Sequence, residues 1–298
     1  MLSRFYDYLR HELNRSPLTV LAYETDINQF KEWISPKNPE ETDFTSVTSN
    51  DVRAWLSSLA KSGQTPRTLR RKIISLRTLF RWMMKSGIIK HSPLQEVPLP
   101  KIPKPLPDFI KPDEIEKTIK DLEESADQSD PEGVMKSLIV EILYSLGLRR
   151  AELIGLDDSD ISYSKGEIKV TGKRSKQRVI PLPQKLMAKI KDWQRIRDLD
   201  NPDTNTDSPL FTVKGKRISA GQVYQIVHKS LAGSSAKRKS PHALRHSFAS
   251  GMLNGGAELD SVREFLGHAS LATTQIYTHI SLNEIKKAYK QAHPRSEE

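Results

Sequence analysis

Apolar residues recur at three- and four-residue steps along the first part of the chain, the spacing of one face of an α-helix. Val20, Tyr23, Ile27, Phe30 and Ile34 mark one such stripe. Ser16-Pro17 ahead of it reads as a helix start, a capping serine followed by a proline whose missing N–H costs nothing in a first turn. The pattern predicts helices over Leu2–Asn14, from Ser16-Pro17 to about Ile34, and at about Ser49–Lys61 and Pro66–Lys85. No stretch here alternates apolar and polar positions as a strand would, so this part is expected to be all-helical.

The periodicity stops at Val97–Pro107, VPLPKIPKPLP, where five of eleven residues are proline. Proline at that density removes backbone donors and forbids both helix and central strand, so the run reads as an extended, semi-rigid spacer. It divides the chain into residues 1–96, a linker at 97–110, and residues 111–298. Beyond it, helices are expected at Lys111–Glu124, Gly133–Leu146, Gln184–Arg197, Ser219–Leu231, Pro241–Asn254, Leu259–Leu266, Thr273–Tyr277 and Leu282–Gln291. Between them, Gly166–Leu182 (GEIKVTGKRSKQRVIPL) alternates like a hairpin around a polar turn. The fold class is therefore mainly α: an all-helical N-terminal domain plus a mostly helical C-terminal domain with a small antiparallel β-sheet.

Charge changes this picture. The chain has 298 residues, with 47 Lys and Arg against 37 acids, a net charge of +10, and a basic excess suits a polyanion partner. The excess is placed unevenly. On the Pro66–Lys85 helix, Leu69, Ile73, Leu76, Phe80 and Met83 form the apolar stripe, while Arg67, Arg70, Arg71, Arg77, Arg81 and Lys85 fall elsewhere on the circumference. From Pro66 to Gln95 there are eight basic residues and no acid. A solvated face interleaves opposite charges at i,i+4, so this face is expected to meet a phosphate backbone. The chain has no cysteine, which excludes disulfides and thiolate metal sites. No apolar run is long enough for a bilayer, and the start lacks the order of a signal peptide; a cytoplasmic protein is the simplest expectation.

Four segments hold candidate chemistry. In Leu143–Leu156 (LYSLGLRRAELIGL), Arg149 sits at a break between two apolar runs, where a half-buried guanidinium needs an anion or carboxylate. In Gly172–Arg178 (GKRSKQR), Lys173, Arg174, Lys176 and Arg178 make a basic turn, suited either to a groove or to solvent. In Ser240–Ser250 (SPHALRHSFAS), His242 and Arg245 share a face near a helix start, which fits an oxyanion site or a capping cluster. His242 and His246 are four apart, but no third ligand accompanies them, and no metal is expected. In Leu266–Ile280 (LGHASLATTQIYTHI) stand His268 and Tyr277; alone, such a tyrosine is more often core than nucleophile.

Read in order, Arg149, Lys173, His242, Arg245, His268 and Tyr277 fill the Arg–Lys–His-x-x-Arg–His–Tyr signature. The chain resembles the tyrosine recombinases of the phage-integrase superfamily, and its length and layout resemble the Xer type. The resemblance spans nearly the whole chain; Thr19–Phe30 and Thr68–Trp82 resemble the family's DNA-gripping, SAM-like domain. It implies that Tyr277 is the nucleophile in a 3′-phosphotyrosyl intermediate, that Arg149 and Arg245 hold the phosphate, that Lys173 is the general acid, and that His242 and His268 assist. It implies no cofactor, since the phosphotyrosine conserves the energy of the broken bond. The implied partner is double-stranded DNA with a short inverted-repeat site, bound by a homo- or hetero-tetramer on two duplexes, with the C-terminal helix docking in trans and a DNA translocase admitted as an activator. The implied role is chromosome-dimer resolution at the nucleoid. An integrase of a mobile element with the same chemistry and a non-catalytic DNA-binding relative stay open as alternatives. DNA contacts are expected from Arg67, Arg70, Arg71, Arg77, Arg81, Arg174 and Lys176. Asp157-Asp158 and the acidic stretch Asp198–Ser208 depart from what a DNA-facing surface would carry.

Overall fold

A computed structural model of the protein describes residues 1–102, 110–125, 130–172, 175–200, 205, 207–267, 289, 292 and 295. The chain divides into two compact units, Met1–Pro105 and Leu106–Glu298. No helix among the described residues is long and apolar enough to cross a membrane.

The first unit is helical: α1 (Leu2–Asp7), continued by a π-helical turn at Tyr8–Glu12, α2 (Pro17–Ile34), a 3-10 turn at Pro39–Glu41, α3 (Ser49–Lys61) and α4 (Pro66–Lys85). The helix starts are written in side chains. Ser16, Thr48 and Thr65 each accept a hydrogen bond from the backbone N–H three residues on, satisfying a donor that the first turn leaves orphaned. At Thr48 the bond is reciprocal, because Asp51 accepts from the Thr48 N–H at 2.8 Å. The core is built from the predicted stripes, with Ile27, Phe30, Trp55, Ile73, Leu76, Phe80 and Met83 all buried. Phe30 meets Trp55 edge-on at 5.0 Å.

Inside this apolar core lies one ionic cluster. The Asp26 carboxylate of α2 is fully buried. It accepts from Lys72 Nζ at 3.1 Å, from Ser75 Oγ at 2.7 Å and from Arg71 of α4. Part of the positive charge on α4 is thus neutralised by an acid from another helix, which a scan of α4 alone does not show.

The second unit begins with α5 (Pro112–Ser125) and α6 (Pro131–Ser145). It continues through a short α7 (Arg150–Ile154), the strands β1 (Ile161–Ser162), β2 (Glu167–Thr171) and β3 (Gln177–Pro181), α8 (Gln184–Asp200), β4 (Thr212–Val213) and β5 (Lys216–Arg217). It ends in α9 (Ala220–Ser230), α10 (Pro241–Asn254) and α11 (Leu259–Leu266). Helix α6 is buried from Leu138 to Ser145; it is the axis on which the unit is assembled. The hairpin at Gly166–Leu182 forms as expected, with Ile168 opposite Ile180 and Val170 opposite Arg178. Strand β1 adds a third strand to it, and β4–β5 make a separate two-stranded sheet; pieces of two residues are too short to carry an alternation signal.

The two acids that looked out of place are structural. Asp158 accepts a fork from the buried Arg197, at 2.9 and 2.6 Å, and Asp157 pairs with Arg217 at 2.6 Å. The expected helix at Thr273–Tyr277 lies outside the described residues, and of Leu282–Gln291 only Tyr289 is described. Tyr289 stacks on Phe265 at 5.4 Å and donates to the Ser145 carbonyl at 3.0 Å. Arg295 pairs with Glu116 and Glu141. In the single chain these bonds and contacts seat Tyr289 and Arg295 on their own unit.

Removing one member of a buried charge pair costs about 3–5 kcal/mol, because it leaves the other charge uncompensated. Asp26→Ala is therefore expected to lower the stability of the first unit by that amount in urea unfolding. A loss under about 1 kcal/mol would show that water or a rearranged partner takes over Lys72.

Candidate active site

The site grows from the C-terminal end of α6. Gly147 adopts φ 55°, and a Cβ there would stand 2.5 Å from Phe248 Cδ1, so both backbone and space call for glycine. The turn releases the chain into α7 and aims the Gly147 carbonyl at Arg245, whose Nη1 donates to it at 2.6 Å. The other guanidinium nitrogen of Arg245 donates to the Leu266 carbonyl, also at 2.6 Å. Arg245, one turn into α10, is only 4% exposed. Burial, followed by the Arg149 charge, lowers its pKa to about 10, against the pull of Glu152; it stays cationic at neutral pH.

Glu152 is the hub. It is 3% exposed and lies one turn after Arg149. Its Oε2 accepts from the Arg149 backbone N–H at 2.9 Å and its Oε1 from Arg149 Nη1 at 2.7 Å. Arg178 of β3 approaches from the other side, fork to fork, with both contacts at 2.9 Å. Arg245 Nη1 stands 3.7 Å away. Burial pushes the Glu152 carboxyl up, but the hydrogen bonds and charge of Arg178 and the bonds from Arg149 outweigh it, and its pKa is lowered. Three guanidiniums thus surround one carboxylate, leaving a net positive pocket. Arg149 keeps 38% of its side chain exposed and also donates to the Gly267 carbonyl at 3.2 Å, so it is the member positioned to meet a solvent-borne anion.

His242 is exposed in the first turn of α10, behind the Ser240 cap and Pro241. Its ring meets His246 edge-on at 4.8 Å. Burial, then the charges of His246, Arg245 and Arg149, hold its pKa below the ordinary histidine value, which keeps the imidazole neutral near pH 7. His242 and Arg245 are three apart on α10 and so share one face of the helix. Among the described residues, no group of three His, Cys, Asp or Glu side chains could hold a metal ion.

Of the six signature residues, the structure brings together Arg149, His242 and Arg245. Lys173, His268 and Tyr277 lie outside the described residues, as does Arg174. Their chain neighbours are described. Gly172 adjoins the Glu152 carboxylate, a Cβ there standing 3.4 Å from Oε1, and Gly267 is the residue that accepts from Arg149. Lys176 is exposed on the turn after Ser175, which takes φ 55°. In the first unit, Arg67 and Arg81 are exposed and Arg70 half-buried. Arg71 is tied to Asp26, and Arg77 donates to the Val97 carbonyl at 2.6 Å.

Residues 108–284 match the family model described as Phage integrase family, and residues 2–87 match the Phage integrase N-terminal SAM-like domain. The chain belongs to the phage integrase family. It is 34% identical over 317 residues to a tyrosine recombinase XerC of Chlorobaculum tepidum, covering 99% of this chain and 94% of the relative. It is 34% identical to a tyrosine recombinase XerD of Listeria innocua, covering 99% of each. Among solved structures it is similar to the XerH site-specific recombinase bound to palindromic difH substrate in a post-cleavage complex, with a TM-score of 0.71, 25% identity, and 97% of this chain and 83% of that one covered. A lambda integrase dimer bound to a COC′ core site shares the fold at TM-score 0.66 and 16% identity, with 90% of each chain covered. This member of the phage integrase family is a site-specific tyrosine recombinase, an enzyme that breaks and rejoins DNA.

Sequence reading named Arg149 and Arg245 but passed over Glu152 and placed Arg178 on a turn open to a groove. A signal for each was present: an acid one turn after an arginine at a helix start, and an arginine in phase with Ile180 on the buried face of a strand.

Because the Glu152 pKa is lowered on folding, its stabilisation is full above the ordinary glutamate range and is lost as pH falls through the folded value. Glu152→Gln is expected to cost about 3–5 kcal/mol near neutral pH. The gap to wild type should narrow as unfolding is followed from about pH 6 to about pH 3. A gap independent of pH would mean that Glu152 acts by shape and not by charge.

Proposed function

We propose that Arg149, Lys173, His242, Arg245, His268 and Tyr277 carry the strand exchange. In this reading Arg149 and Arg245 bind the non-bridging oxygens of one phosphodiester and offset the charge that grows as phosphorus becomes five-coordinate. The Tyr277 hydroxyl attacks phosphorus, His242 assists removal of its proton, and the 3′-phosphotyrosyl bond forms as the bond to the 5′ oxygen breaks. Lys173 delivers a proton to that leaving oxygen, and His268 hydrogen-bonds a non-bridging oxygen. Rejoining is the same step reversed with a 5′ hydroxyl of another strand as nucleophile, so neither ATP nor a metal is needed. The observation that carries the reading is Arg149 hydrogen-bonded to the buried Glu152 carboxylate, with Arg245 held by two backbone carbonyls 3.7 Å from the same carboxylate and His242 one turn before it on α10.

Relatives named XerC and XerD that align over almost the entire chain support a chromosomal role. The protein would act in the cytoplasm on nucleoid DNA, as a tetramer on two duplexes at a short inverted repeat, resolving chromosome dimers.

Covalent trapping tests the chemistry. The protein is mixed with nicked fragments of its host genome and denatured, and the protein-linked DNA is recovered and sequenced. A Tyr277-dependent adduct at one short inverted repeat per chromosome is expected, and none with Tyr277→Phe. Adducts confined to the ends of a mobile element would replace dimer resolution with integration; an adduct that survives Tyr277→Phe would remove Tyr277 as the nucleophile.

DNA contact by α4 rests in this reading on Arg67, Arg70 and Arg81, with Arg174 and Lys176 on the hairpin turn. Arg71 and Arg77 stand closer to protein partners. Arg67→Ala and Arg81→Ala are each expected to reduce the slope of log K against log salt by about 1. An unchanged slope for both would take this face off the DNA.

A further inference from the structure

We infer that Arg178 is a positioning residue of the recombination site, one that fixes Arg149 through Glu152 and does not itself contact DNA. The inference rests on the reading that Arg149 and Arg245 bind the reacting phosphate.

The hairpin register gives the first argument. Paired residues of an antiparallel ladder share a face of the sheet, and Arg178 stands opposite Val170, which is fully buried. Its side chain therefore leaves the hairpin on the core face, in phase with Ile180, and only 15% of it is exposed. A guanidinium on that face must be paired, and each of its three nitrogens is. Nη1 and Nη2 chelate Glu152 at 2.9 Å each, and Nε donates to the Phe265 carbonyl at 2.9 Å. These bonds use three of the five guanidinium N–H groups, and with 15% of the side chain exposed Arg178 offers little of itself to a phosphate.

The second argument is what these bonds join. The chelated carboxylate also holds Arg149 by its backbone and its side chain. Phe265 is in the last turn of α11, two residues before Gly267, the other acceptor of Arg149. The Arg178 side chain lies against Gly267, where a Cβ would stand 3.3 Å from both its Cδ and its Nη1. One side chain thus ties β3, the start of α7 and the end of α11 together. Those are the elements next in sequence to Lys173, Arg149 and His268. Without it, Glu152 keeps Arg149 as its close partner but loses the fork that sets the carboxylate plane. The Arg149 guanidinium then has no fixed direction, and misplacing a charge-stabilising group by a small distance costs rate more than binding.

The test compares wild type, Arg178→Met and Arg178→Lys in the full chain by three readouts: the rate of adduct formation on nicked host genomic DNA, the affinity and salt slope on a random-sequence duplex, and the affinity for inorganic phosphate. Expected for Arg178→Met is a fall in adduct rate of tenfold or more and a weaker phosphate affinity, with duplex affinity and salt slope unchanged. Lysine cannot form the fork, so Arg178→Lys should not restore the rate. In combination with Glu152→Gln, the loss should be no larger than that of the worse single variant, because both act through one contact. A salt slope reduced by about 1 would make Arg178 a phosphate ligand and overturn the inference. So would an unchanged adduct rate in the folded fraction of a thermally destabilised Arg178→Met, which would leave it a purely structural role. If wild type itself forms no adduct, the catalytic reading fails. Phosphate affinity then decides the positioning role separately, equal values in wild type and Arg178→Met counting against it.

Discussion

A carboxylate held away from water among three guanidiniums is the constraint on which the second unit is built. Glu152 must be ionised to be tolerated there, and it is ionised because Arg178 and Arg149 donate to it. The arginines in turn are held at short range despite their mutual repulsion because one negative charge sits between them. Neither side of the arrangement is stable alone, since an isolated buried charge is costly and a half-satisfied network worse than none. Three guanidiniums against one carboxylate leave an excess of positive charge, and the exposed part of Arg149 presents it to solvent. An anion completes the balance, which is why the cluster reads as a phosphate site.

Backbone geometry serves that cluster. Gly147 and Gly267 both take left-handed φ values, 55° and 63°, and each offers a carbonyl to a site arginine. At Gly147 a Cβ would stand 2.5 Å from Phe248, and at Gly267 it would press on Arg178 at 3.3 Å. Glycine here therefore does two things: it ends a helix, and it leaves room for a guanidinium or a packed phenyl ring. The cluster also depends on the apolar scaffold of α6, α10 and α11, where Phe248 and Phe265 meet at a tilt and both stack on Tyr289.

Much of the architecture was legible in the residues because local chemistry marks it. Helices α2, α3, α4, α10 and α11 end where caps, prolines and glycines place them, and the hairpin follows its alternation. The signature arginines and histidines were legible for a different reason, by resemblance in order and spacing. What escaped reading shares one property: it is defined by partners distant in sequence. Arg71 and Arg77 read as phosphate-facing cations on a basic face, and the bonds of Arg71 to Asp26 and of Arg77 to the Val97 carbonyl did not show in α4 alone. Arg178 read as part of a basic turn, but its strand phase turns it inward to Glu152. Strands β1, β4 and β5 are too short to show a period, and only their neighbours make them strands.

The central claim is that the arginine set is assembled on Glu152 before any DNA arrives. Nitrogen-15 NMR of the arginine side chains in the free protein tests it most directly. Assembly in advance predicts separate, slowly exchanging Nε–H signals for Arg178 and Arg245 without DNA, both lost or shifted to fast exchange in Glu152→Gln. Signals that exchange as fast as those of exposed Arg67 in the free protein, and slow only when a duplex is added, would show that DNA builds the site, and would contradict the account.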